Sequence, residues 1–163
     1  MAEPETPAAV AQALALFVAG VETWRLRAME RAARFLERKA KAAIGHYQEG
    51  AGELMEWAPL KWSTVEEKER LGYAPPDNPL LRTGEMRASI GHHVESADRA
   101  VVGSESEVLL AHELGTKHLP PRSVLGLAAL HHADRIVEIL GRPFGAHLTE
   151  RDDEGTETSY GIR

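Results

Sequence analysis

A stretch of forty residues without a proline, from position 8 to position 47, sets the strongest constraint on how this chain folds. Ala, Leu, Arg, Glu and Lys dominate it, and all of these favour the α-helix. Its apolar residues recur at spacings of four and three, which places them along one side of a helix: Val10, Leu14, Phe17, Val21, Trp24, Ala28 and Phe35. The pattern predicts one amphipathic helix about 60 Å long, continuous or only bent at Gly20, and ended by Gly45.

Such a helix is long for the domain that carries it. The chain has 163 residues, which is the size of a single domain. One end of the helix should therefore extend past its own domain and pack on a neighbouring subunit. Phe17, Val21 and Trp24 are the residues that we expect at that contact.

Several short elements are expected after the long helix. A loop follows in which Trp57 and Trp62 are predicted to be buried anchors. The sequence Ser-Thr-Val-Glu at 63–66 matches a capping box and predicts a short helix that ends near Leu71. Three prolines within residues 72–79 predict an extended loop.

The centre of the chain is punctuated by turns. Thr83 is predicted to cap a short helix that begins at Gly84. Residues 89–94 and 99–103 alternate in part and predict an antiparallel hairpin. Gly115 is predicted to end a helix immediately before it.

The last predicted helix starts at a Ser123 cap and runs to about Leu140. We therefore expect an α+β fold in which a long N-terminal helix and a C-terminal helix pack on a small antiparallel sheet. Residues 1–141 form this single domain. Residues 142–163 form an extended tail that we expect to be ordered only by contact with another chain.

The composition excludes several classes of function. The chain has no cysteine, so it has neither disulfides nor thiolate sites. Its net charge of −6 argues against a surface that binds nucleic acid tightly. The start lacks the basic leader of a signal peptide, and the longest apolar run, residues 13–21, is too short to span a bilayer. We predict no catalytic, cofactor-binding or metal-binding residue.

One pair of residues nevertheless suggests metal chemistry. His112 and Glu113 match the first half of a zinc-protease motif, but Thr116 stands where the second histidine is needed, and Gly115 ends the helix first. The alternative is that Glu113 pairs with an arginine or caps a loop. A small metal-dependent hydrolase that uses His112, Glu113 and His118 remains the alternative function.

Four motifs in order carry a family resemblance. They are LLRTGEMRASI at 80–90, VGS at 102–104, HELGT at 112–116 and PPRSVLG at 120–126, and WAPL at 57–60 precedes them. In sequence and spacing they resemble tailed-phage neck and tail-completion proteins, over roughly residues 51–140. The chain departs from that pattern at Leu114, where many relatives have Phe, and at 123–124, where they have Pro-Phe.

The resemblance implies a structural protein of the virion, assembled in the host cytoplasm at the junction of head and tail. Such a protein forms a homo-oligomeric ring between the head connector or adaptor and the tail terminator or tube. DNA passes through the ring without sequence-specific binding, and no membrane is involved. A helical adaptor of non-viral origin is a further alternative. The expected subunit interface consists of Phe17, Val21, Trp24, Arg82, Thr83, Gly84, Glu113, Gly115, Thr116 and Arg122.

Overall fold

A computed structural model describes residues 6–141, 149–151 and 157–159 of the chain. It confirms the α+β fold, with a long N-terminal helix, several short helices and a two-stranded antiparallel sheet. The elements in chain order are α1 (Pro7–Ala43), α2 (Trp62–Arg70), α3 (Glu85–Ala88), β1 (Gly91–Ser96), β2 (Arg99–Gly103), α4 (Glu107–Leu114), α5 (Leu125–His131), α6 (Ala133–Gly141), β3 (Thr149–Arg151) and β4 (Glu157–Ser159).

Helix α1 is uninterrupted over 37 residues, which corresponds to about 55 Å. The Thr6 side chain caps its start by accepting a hydrogen bond from the Ala9 amide at 3.3 Å. Ile44 is extended, and Gly45 follows with a φ of +102°. The predicted continuous helix is confirmed, although it ends at Ala43 rather than near Tyr47.

The core is built around the second half of α1. Both strands of the hairpin, α5 and α6 all pack against this helix. The buried positions of α1 are mostly alanines, whose small side chains let the neighbouring elements approach closely. The central cluster comprises Ala40, Ala43, Ile44, Trp57, Ile90, Leu109, Val124, Leu127 and Ala128.

Strands β1 and β2 form the predicted hairpin. Gly91 pairs with Gly103, Val94 pairs with Ala100, and the register shifts by a bulge before Ser96. The bulge and the short turn that follows increase the local twist of the hairpin. Both strands of the hairpin contact α1.

A histidine fastens the hairpin to α1. The two ring nitrogens of His92 face the carboxylates of Glu37 and Glu30, the latter at 3.1 Å. A carboxylate only accepts hydrogen bonds, so both nitrogens donate only when the imidazole is protonated. The bond to Glu37, helped by Glu30, raises the pKa of His92 against the opposing effect of burial. Arg34 and Lys41 pair with the same two carboxylates.

We expect this contact to make stability depend on pH. Because the folded-state pKa of His92 is raised, the stabilisation is complete below the ordinary pKa of about 6.5 and is lost as pH rises through the raised value. His92→Gln should cost about 1 kcal/mol at pH 6 and clearly less at pH 9, measured by urea unfolding. His93→Gln, at the exposed neighbouring position, is the control and should show no such trend. An equal cost of His92→Gln at both pH values would contradict the prediction.

Three local predictions near α2 and α3 were wrong in detail. Helix α2 begins at Trp62 with Lys61 at the N-cap and no side-chain cap, so the apparent capping box at 63–66 lies inside the helix. Trp57 is buried at 3% exposure, whereas Trp62 is 77% exposed. Helix α3 begins at Glu85 rather than at Gly84, which occupies the N-cap in a left-handed conformation.

The predicted C-terminal helix is two helices. α5 ends at His131, His132 is non-helical, and α6 begins at Ala133. The N-cap of α5 is Val124, and Ser123 makes no cap bond there. Beyond α6, β3 and β4 pair antiparallel. The rest of the predicted tail, 142–148, 152–156 and 160–163, lies outside the described residues.

Candidate interaction site

The first half of α1, residues 7–19, is exposed to solvent, and we call it the bare half. Every residue from position 6 to position 19 is exposed. The sequence has no charged residue from Pro7 to Val21, and Gln12 is the one polar side chain there, so this part of the helix is largely apolar on all sides. A helix of that kind is normally buried against something. Its large exposed side chains are Val10, Leu14, Leu16, Phe17 and Val18, all between 48% and 68% exposed.

The boundary between the bare half and the packed half of α1 lies near the turn of the hairpin. Asp98, in the hairpin turn, forms an ion pair with Arg25. Val21 and Trp24 are half-buried next to this point, whereas Phe17 is 57% exposed. Of the three helix residues expected at an interface, Phe17 therefore lies on the bare surface, and Val21 and Trp24 lie at its edge.

Helix α1 also has the length and composition of a membrane-spanning helix. An 18-residue window within it has a mean hydropathy of 1.3, and none of that window is buried. Core helices of soluble proteins and signal sequences share this composition. The estimate based on residues 13–21 missed this window because it counted only an uninterrupted apolar run.

A second surface is a groove of about 850 Å³ between α2, the loop that leads to α3, and α4. Three predicted interface residues, Arg82, Thr83 and Gly84, line it. Arg82 is half-exposed and lies 3.4 Å from a carboxylate oxygen of Glu67. The Thr83 hydroxyl accepts a hydrogen bond from the Glu85 amide at 3.4 Å. The structure thus gathers these three residues on one surface.

Arg122 is a predicted interface residue that is mostly buried within the chain. It is only 5% exposed, and its Nε and Nη2 donate to the Ala58 carbonyl at 3.3 and 2.9 Å. Burial lowers its pKa. Within the chain this guanidinium ties the loop before α5 to the loop before α2. The assignment of Arg122 to a subunit interface stays a prediction.

The carboxylate of Glu113 is also hydrogen-bonded within the chain. Its carboxylate accepts hydrogen bonds at the start of α5 from the amides of Val124, Leu125 and Gly126, at 2.7, 3.1 and 2.9 Å. It accepts a fourth from the Ser123 hydroxyl at 2.6 Å. The negative charge complements the helix dipole. Glu113 is therefore a helix cap supplied from α4. Its assignment to a subunit interface stays a prediction.

Glycines permit this arrangement. A Cβ on Gly126 would lie 2.5 Å from the Ser123 hydroxyl and 3.3 Å from Glu113 Oε1. Gly115 ends α4, as predicted, with a φ of +73°, and a Cβ there would lie 2.9 Å from the Pro121 nitrogen. The chain thus reverses tightly between α4 and α5. Thr116, which pairs with Leu119 in this reversal, is exposed.

The same contacts bear on the hydrolase alternative. Four donors occupy the acceptor positions of the Glu113 carboxylate, which leaves it little capacity to bind a metal. His112 is half-buried with its Nδ1 unpartnered, and burial together with the Arg122 charge lowers its pKa. His118 is exposed. Among the described residues no group of three His, Asp or Glu side chains is placed to hold a metal ion.

Comparisons with known proteins leave the chain without a match. No family model, no curated protein and no solved structure matches it. The resemblance to tailed-phage neck and tail-completion proteins therefore depends on the four sequence motifs and stays a prediction.

Proposed function

We propose that this protein is a non-enzymatic structural component that assembles into a homo-oligomeric ring at the neck of a tailed-phage particle. The bare half of α1 is the single observation that supports assembly best. Contiguous exposed apolar surface of this kind is typical of an interface. The four sequence motifs support the neck location, where the ring would contact the head connector on one side and the tail terminator or tube on the other.

Closure of a ring also fits the energetics of this surface. Burial of the five large apolar side chains of the bare half would contribute on the order of 10 kcal/mol. Association of two proteins costs about 4–15 kcal/mol in lost freedom and ordering. A single contact of this size is therefore marginal, whereas each subunit of a closed ring makes two such contacts.

The charge of the chain is compatible with a channel through which DNA moves. A net charge of −6 gives an overall long-range repulsion of phosphate, so DNA would not be held by long-range electrostatics. Sequence-specific recognition is not part of the proposal.

The test places two charges on the bare helix. Leu14→Asp with Phe17→Asp should convert an assembled protein into monomers in sedimentation velocity experiments. Both side chains are more than half exposed, so circular dichroism and the melting temperature of the monomer should change little. Met55→Asp with Val137→Asp, two other exposed apolar positions, is the matched control and should leave assembly intact.

Two outcomes would overturn the assembly proposal. Unfolding of the Leu14→Asp, Phe17→Asp variant would show that these side chains belong to the core. A wild-type protein that stays monomeric at high concentration, even when mixed with its neck partners, would rule out the ring.

A second candidate function, membrane attachment through α1, is favoured by the unburied 18-residue apolar window. If α1 inserts into lipid, the wild-type protein should float with phosphatidylcholine vesicles in a density gradient, and the Leu14→Asp, Phe17→Asp variant should not. A ring protein should sediment away from the vesicles in both forms.

A further inference from the structure

The groove beside α3 contains two buried cations that form no ion pair with a carboxylate among the described residues. Lys68 is 2% exposed and Arg122 is 5% exposed, and both line the groove. Lys68 Nζ donates to the Asn78 carbonyl, and the Arg122 guanidinium donates to the carbonyls of Ala58 and Pro59. Neither cation has an acidic group within ion-pair distance in the described part of the chain.

Burial of an unpaired charge costs free energy, and both side chains have N–H donors that make none of the hydrogen bonds described above. An ammonium has three N–H donors, and Lys68 uses one of them. A guanidinium has five, and Nη1 of Arg122 makes none of the bonds described above. Burial of a charge is normally compensated by a partner of opposite sign. The described walls of the groove therefore supply no carboxylate within ion-pair distance of Lys68 or Arg122.

The other charged residues of the lining are mostly basic. Lys61 and Arg82 border the groove as well, Arg82 lying 3.4 Å from Glu67, and Glu85 is the acidic residue among the described lining residues. The whole chain has a net charge of −6, so this surface has the opposite sign to the protein around it. A ligand with several carboxylates, rather than a single one, would complement it.

The sequence contains one segment with that chemistry. Asp152, Asp153 and Glu154 are the chain's only run of three consecutive acidic residues. Glu150 and Glu157 flank the run, against Arg151 alone. The segment follows α6, which packs on α1, whereas the groove lies among α2, α3 and α4.

We propose that the acidic segment 150–157 of one copy binds in the basic groove of a neighbouring copy. This inference rests on the proposed ring, which places copies side by side. Carboxylates of the segment would pair with the unused donors of Lys68 and Arg122 and with Arg82 at the rim. The contact adds an electrostatic interaction to the apolar one made by α1 and would fix the orientation of each subunit on the next.

Isotope-mixed cross-linking tests the contact directly. Unlabelled and ¹⁵N-labelled full-length chains are mixed under dissociating conditions, reassembled, and treated with a carbodiimide, which joins a lysine amine to a carboxylate with loss of water. We expect cross-links from Lys61 or Lys68 to the segment 150–157 in which one peptide is labelled and the other is not. Cross-links confined to peptides of the same label would show contact within one chain and overturn the proposal, as would their absence.

Charge removal provides a second measurement. Asp152→Asn, Asp153→Asn and Glu154→Gln together in the full chain should weaken assembly about tenfold, because the attraction between these carboxylates and the groove cations is lost. Glu53→Gln, Glu56→Gln and Glu105→Gln remove the same charge at exposed positions and should not weaken it. Equal effects of the two triple variants would contradict a specific contact.

The outcomes separate this inference from the ring itself. If the wild-type protein assembles but gives no mixed-label cross-links, only the proposed groove contact is ruled out. If the wild-type protein remains monomeric in sedimentation, both the ring and the contact between copies are ruled out.

Discussion

Replacement of Trp57 by alanine should lower the free energy of unfolding by about 3–5 kcal/mol. The indole is 3% exposed, belongs to the central cluster, and donates from Nε1 to the Ser123 carbonyl at 3.1 Å. The substitution therefore opens a large cavity and leaves a buried carbonyl without its donor. For a chain of this length, such a loss lowers the melting temperature by roughly 10 °C.

The chain provides a matched control for this change. Trp62 is 77% exposed, so Trp62→Ala removes the same atoms and should alter stability by no more than about 0.5 kcal/mol. Trp57→Phe, which keeps most of the ring volume, should fall between the two. Urea unfolding followed by far-UV circular dichroism measures all three, and similar costs for Trp57→Ala and Trp62→Ala would contradict the assigned core.

The second large effect is expected at Glu113. Glu113→Ala should destabilise the protein by about 3 kcal/mol, because it leaves the first amides of α5 and the Ser123 hydroxyl without their acceptor. It also removes a negative charge from the helix N-terminus. Glu113→Gln keeps the shape but points an amide NH₂ at donors, so it should recover only part of the loss.

Glu105→Ala is the control for this prediction, since Glu105 is an exposed glutamate just before α4. Hydrogen exchange localises the effect. In Glu113→Ala the amides at 124–126 should exchange faster, while those in the second half of α1 should be affected only through the global stability. Unchanged exchange at 124–126 would show that the carboxylate does not cap α5.

Features that depend on neighbouring residues could be predicted from the sequence. The absence of proline and the spacing of Leu14, Phe17 and Val21 predict α1, because both properties act within one or two turns. The hairpin and the end of α4 at Gly115 follow from alternation and from a glycine with positive φ. Each of these depends on local backbone preferences.

Features that depend on residues far away in the chain could not be predicted from the sequence. Ser123 has the chemistry of a cap, but the cap of α5 comes from Glu113, ten residues earlier on another helix. Arg122 is buried because carbonyls more than sixty residues away, at Ala58 and Pro59, accept its hydrogen bonds. Lys68 is buried against the Asn78 carbonyl in the same way. Nothing in the nearby sequence of either cation distinguishes it from a surface residue.

The two halves of α1 differ in what holds them helical. An isolated helix must form its first turn at a large entropic cost, and segments of about 14 residues in water are marginal for that reason. Residues 7–20 avoid this cost because they continue a helix whose later turns are already fixed by packing. Each added or lost turn is then a small step of propagation, and the length of ordered helix can adjust to the surface that receives it.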